Sequence, residues 1–156
     1  MPEDFSYDKA LKSIISEVFE QHLDAKLVTI EFGIMLKEFS IDVFVIKAKP
    51  KKKIPENSWI GFIINNAKDF LIIEAKHVGS RLSRSGIIQV LAYKFILSKE
   101  KNYPLDRITP VLIVSKLPRD ANKLVRSVIS PEVSIVGKGG LYKIVGVRAL
   151  EMLVIA

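Results

Sequence analysis

Asp69-Phe-Leu-Ile-Ile-Glu-Ala-Lys-His77 is the stretch on which the fold turns. Residues 70–73 are apolar without interruption, which reads as a strand buried on both faces in the middle of a sheet. Two opposite charges follow, Glu74 and Lys76. Strand side chains alternate, so these two share a face at the carboxyl end of the strand, and the small Ala75 between them faces the other layer. A carboxylate and an ammonium there are costly to bury unless paired or put to use. Either they pair with each other and their neighbours, or they hold something.

Downstream, Gly79-Ser-Arg-Leu-Ser-Arg-Ser-Gly86 reads as a polar loop, and 87–97 as a buried helix capped by Ser85. Gln89 and Tyr93 are four apart and stack on one helical face. Upstream, residues 40–49 read as a strand with Asp42 near its start, the one acid in an otherwise apolar run. That carboxylate is either a turn group satisfied by nearby amides or a ligand.

A strand ending in Glu74-Ala-Lys76, followed by a helix bearing Gln89-Val-Leu-Ala-Tyr93, resembles the PD-(D/E)XK nuclease superfamily. Within it the pattern is similar to the branch with a Gln-x-x-x-Tyr helix, as in RecB-type and lambda-exonuclease-type nucleases. Asp42 matches the aspartate on the preceding strand, with Ile41 where the family signature has proline. The resemblance implies an α/β, restriction-endonuclease-like fold, a central mixed sheet with helices on both faces. It implies magnesium, or manganese in its place, held by Asp42, Glu74 and the Ala75 carbonyl. Lys76 would act on the attacking water and the phosphorus, with Gln89 and Tyr93 positioning. A Glu from the first helix, here Glu17, would join them.

The implied activity is hydrolysis of DNA phosphodiester bonds, directed by structure or ends because no separate recognition domain is visible. The alternative is an inactive nuclease-fold module that binds DNA or a protein. Small members of the family often act as homodimers.

Composition sets bounds around this. The 156 residues suit one domain, 1–156, with a core over about 7–136. A formal charge of +7 suits a polyanionic partner. With no cysteine, disulfides, thiolate metal sites and iron–sulfur clusters are excluded. The start lacks the pattern of a signal peptide, and no apolar run approaches the ~20 residues that span a bilayer. The expectation is a soluble cytoplasmic protein. Its richness in Ile, Val and Lys fits a thermophile.

The remaining elements follow in order. Residues 7–24 read as an amphipathic helix, with Glu17 at the flank of its apolar face, either solvated or reaching a site. Residues 26–37 read as a strand bent at Gly33. The basic loop 50–57 carries Lys51, Lys52 and Lys53, either a solvated tip or phosphate contacts. Residues 58–64 read as a strand in a hairpin with the central one, and Trp59 as partly buried. Then come a strand at 109–115, a helix at 118–129 opened by Pro118, a strand at 133–136 and a plain turn at 137–140. Residues 141–147 read as a strand and 147–155 as a short helix. Arg81, Arg84 and Lys94 are placed to line a phosphate track.

Overall fold

The computed structural model describes residues 30–36, 39–46, 58–76 and 79–156; over 30–46 it describes the side chains of Ile41, Phe44 and Ile46 alone. The expected helix at 7–24 with Glu17, the loop with Lys51, Lys52 and Lys53, and His77 lie outside the described residues.

The run at 70–73 does become a central strand. It lies within β3 (Phe70–Ala75), and Leu71, Ile72 and Ile73 are all fully buried. On one side β3 pairs antiparallel with β2 (Phe39–Ile46), which pairs antiparallel with β1 (Ile30–Leu36). On the other side it pairs parallel with β4 (Ile108–Ile113). β4 pairs parallel with the last strand, β7 (Met152–Ile155), and the hairpin of β5 (Ser134–Lys138) and β6 (Leu141–Val145) completes the edge. Among the described residues the mixed sheet has seven strands, in the order β1-β2-β3-β4-β7-β6-β5.

The described helices are α1 (Trp59–Asn66), α2 (Arg84–Lys101) and α3 (Ala121–Val128). Alternation along the strands sorts the core into two layers. Leu71, Ile73, Val111 and Leu153 meet Ile60, Ile63 and Ile64 of α1 on one face. Ile72, Leu112 and Val154 meet Ile87, Val90 and Leu97 of α2 and Val125 of α3 on the other. Helices therefore cover both faces, as the fold class expected. Each such aliphatic side chain contributes on the order of 1.5–3 kcal/mol by leaving water.

Several local expectations are corrected. The segment expected as a strand over 58–64 is instead the helix Trp59–Asn66 and makes no hairpin with β3. Ser58 Oγ accepts from the Gly61 amide at 3.1 Å and caps it. The face of the sheet carrying Leu71 and Ile73 needs a cover, and this short apolar segment supplies it. Trp59 is half-buried against that layer, as expected.

α2 starts at Arg84, and its cap is Ser83, whose Oγ accepts from Gly86 N at 3.1 Å; Ser85 sits beside it, Oγ to Oγ 3.3 Å. Asn102, left-handed at φ 61°, ends the helix. α3 begins after Asp120, so Pro118 lies before it, not at its opening.

The expected helix over 147–155 is a single 3-10 turn, Arg148–Leu150, followed by β7. Met152, Leu153 and Val154 are buried between β4 and β6, so the core runs well past residue 136. An apolar segment this short has no periodicity to choose helix or strand; the open edge of β4 chooses strand. The turn expected at 137–140 joins β5 to β6 through Gly139 and Gly140, both at positive φ (64° and 86°). Among the described residues no helix is long and apolar enough to cross a membrane.

Candidate functional site

The carboxyl end of β3 gathers the charged side chains that the sequence singled out. Glu74 extends the face of Phe70 and Ile72, the face that α2 covers. Its side chain is only 8% exposed, and Lys76, just past the strand, is 26% exposed. Lys76 Nζ lies 3.3 Å from Glu74 Oε1. The same ammonium donates to Gln89 Oε1 on α2. Gln89 Nε2 in turn donates to Tyr93 Oη at 2.8 Å, one helical turn on. Four residues from two elements thus form one hydrogen-bonded row: Glu74, Lys76, Gln89, Tyr93.

The local chain explains why the row can form. The backbone of Lys76 donates to Ile113 O at 2.9 Å and keeps this residue anchored beside β4. Gly86 lies in the first turn of α2, where a Cβ would sit 3.2 Å from Ser83 Oγ, 3.4 Å from Leu112 Cδ2 and 3.8 Å from Lys76 Cε. Its lack of a side chain lets the helix start close to the sheet and to the lysine. Tyr93 is 4% exposed, so its ring is core and only its hydroxyl belongs to the row.

β2 carries Asp42 toward the same end. The β2–β3 ladder runs from Ile46 opposite Phe70 to Val43 opposite Ile73, and Asp42 and Glu74 are the next residues along the two strands. The register of β1 with β2 steps from Phe32–Val43 to Ile34–Ile41, skipping Gly33 and Asp42. Ile41 and Phe44, three apart, both belong to the α2-side layer. The offset between the strands is the same on both sides of Gly33 and Asp42, so β1 and β2 stay in register past Asp42.

A basic rim borders the row. Arg81 and Arg84 are exposed, and Arg81 forms a parallel bridge with Lys116, also exposed. Ser80 O accepts from the amides of Ser115 (3.0 Å) and Lys116 (3.2 Å), and Leu82 N donates to Lys116 O (3.0 Å). The loop before α2 is thereby stitched to the segment after β4. Lys116 was not among the sequence candidates: it stands far from Arg81 in the chain, and only the β3–β4 pairing brings it there. Lys94 does not belong to this rim. It is 1% exposed and lines a cavity with Ile108, Thr109 and Met152, at the amino ends of β4 and β7. Its neighbours in sequence place it on α2, but the helix turns it into the opposite end of the core.

The oxygens at this strand end, the buried carboxylate of Glu74 and the adjacent backbone carbonyl of Ala75, are of the kind a hard cation takes, and the backbone register puts Asp42 one step beyond the β2–β3 ladder. Among the described residues no group of three or more His, Cys, Asp or Glu side chains gathers as a ready metal site.

Fold and site together define an α/β protein on a mixed sheet, with a charged, hydrogen-bonded row at the carboxyl end of its central strand. No family model and no curated protein matches the chain. Among solved structures it is similar to a repair endonuclease from Pyrococcus abyssi, at 14% identity and a TM-score of 0.41, over 73% of this chain. The chain spans 41% of the length of that structure. A likeness of that extent bears on no residue role.

Proposed function

We propose that the chain is a magnesium-dependent nuclease of the PD-(D/E)XK type that hydrolyses DNA phosphodiester bonds, directed by structure or ends and not by sequence. The observation that supports it is the row Glu74–Lys76–Gln89–Tyr93, with Asp42 one register step beyond the ladder that joins β2 to β3. Glu74, the Ala75 carbonyl and Asp42 would hold the ion. When bound it supplies positive charge against the phosphate and acidifies water.

The protein's own groups do the rest. An ammonium has three N–H donors. Lys76 uses two on Glu74 and Gln89, which leaves one for a phosphate oxygen, where negative charge grows as water adds and the leaving oxygen departs. Gln89 fixes the direction of that ammonium, and Tyr93 fixes the amide of Gln89. Arg81, Arg84 and Lys116 supply exposed positive charge for the DNA backbone on either side.

A cleavage assay over single-stranded, duplex, flapped and four-way-junction DNA, with magnesium and with manganese, tests this. Cleavage by the wild type that disappears in Lys76→Ala supports it; no cleavage of any substrate with either ion rejects it. One observation favours a second reading, a nuclease-fold module that binds DNA without cutting. Lys76 already pairs with Glu74, and no three-ligand cluster forms among the described residues. That reading expects DNA binding that is the same in wild type and Lys76→Ala, with no product from either.

A further inference from the structure

The opposite end of the sheet holds a second concentration of charge that the nuclease reading does not use. A cavity of about 460 Å³ opens at the amino ends of β3, β4 and β7. Lys68, Lys94, Lys143 and Arg148 line it, with Asp106 and Glu151, an excess of two positive charges. Its floor is apolar, formed in part by Ile108, Ile144 and Met152.

Lys94 sets this cavity apart. The residue is 1% exposed, and among the described residues its ammonium makes no hydrogen bond. Buried charges are normally paired and hydrogen-bonded, because desolvation costs several kcal/mol otherwise. Asp106 and Glu151 act on it only through space, and Arg148 Nη2 already holds Asp106 Oδ2 at 3.3 Å. A lysine whose stem lies in the core and which lines a cavity without a hydrogen bond to hold its ammonium is an anchor for an anion.

We propose that this cavity binds a phosphate-bearing small molecule, with Lys94 as the buried anchor and Lys68 as the outer cation. A dianionic phosphate matches the two excess positive charges. The volume exceeds what inorganic phosphate fills and falls within the range of cofactor-sized pockets. The apolar floor takes the organic part. The site is independent of the row at Glu74, so nuclease activity and this binding stand or fall separately.

The test is titration calorimetry of the full chain with inorganic phosphate and with adenosine monophosphate, at ionic strength matched with chloride, and amide chemical-shift mapping in parallel. Expected are saturable binding and shifts at Thr109, Ile144 and Met152, both lost in Lys94→Met. Tighter binding of the nucleotide identifies an organic phosphate as the ligand class; equal binding identifies the free ion. Either supports the site. Should Lys94→Met fail to fold, Lys68→Gln on the exposed rim weakens binding several-fold. Absence of saturable binding by both probes, or binding unchanged in the folded variants, overturns the proposal and leaves Lys94 a core lysine balanced by Glu151 and Asp106.

Discussion

Lys76, at the end of the central strand, donates to the side-chain oxygen of Gln89, a residue of the following helix. That bond ties the strand end to α2 and sets the direction of the ammonium. Gln89→Ala removes the acceptor and leaves Lys76 held by Glu74 alone. If the row aligns Lys76 with a phosphate, turnover falls roughly 10²-fold while substrate KM stays close to wild type. The fold is expected to lose only about 1 kcal/mol, because the side chain is half-buried and water can replace it. Steady-state cleavage of a labelled oligonucleotide and a thermal melt separate the two effects. A loss of activity that merely follows a collapsed Tm would argue for a structural role.

Glu74 gives a test that needs no substrate. A divalent ion that binds the native state and not the unfolded chain stabilises the fold by mass action, about 2.7 kcal/mol at a hundredfold excess over Kd. The wild-type Tm is therefore expected to rise by several degrees with magnesium or manganese. In Glu74→Gln, which keeps the shape and removes the charge, that rise disappears. The same rise in the mutant would place the ion elsewhere. No rise in either protein would favour the ion pair with Lys76 as the whole purpose of Glu74.

Gly140 links the edge hairpin to the end of the chain. Its φ is 86°, and a Cβ there would stand 2.4 Å from Ala156 O, while Gly140 O accepts from Ala156 N at 2.9 Å. The obstacle is backbone, which cannot swing aside as a side chain can. Gly140→Ala is expected to cost roughly 1–3 kcal/mol through positive φ and this contact together. Denaturant unfolding measures it. A change under a few tenths of a kcal/mol would mean that the end of β7 is not held against the turn.

Much of this was legible in the sequence wherever the information is local. The uninterrupted apolar run at 70–73 announced a central strand, and the two-residue spacing of Glu74 and Lys76 put them on one face. The four-residue spacing of Gln89 and Tyr93 put those two on one helical stripe, and the structure joins both pairs in a single row. What failed was decided by distant partners. Residues 59–66 became a helix because an uncovered sheet face, not their own periodicity, set their state. Residues 152–155 became a strand because β4 offered an unpaired edge. Lys94 looked like a surface cation because lysines on helices usually are; its burial depends on strands that begin at Ile108 and Met152.

Lys94 yields the last prediction, on pH. Burial, partly offset by attraction to Glu151 and then Asp106, lowers its pKa from 10.5 to about 8. The unfolded chain then binds more protons than the native protein between about pH 8 and pH 10.5, so this residue makes stability rise with pH across that window. Below pH 8 the native ammonium is charged and its burial penalty is fully present. Above pH 10.5 the amine is neutral in both states and the penalty is gone. Lys94→Met removes the titrating group and keeps a side chain of similar length. The variant is expected to be more stable than the wild type at neutral pH, with the difference shrinking toward zero as pH rises through that window. Denaturant midpoints from pH 7 to pH 11 measure the gap, and a gap that stays constant would mean that Lys94 keeps its ordinary affinity for protons. Inorganic phosphate, if it occupies the cavity, should narrow the gap at neutral pH by holding the charged form.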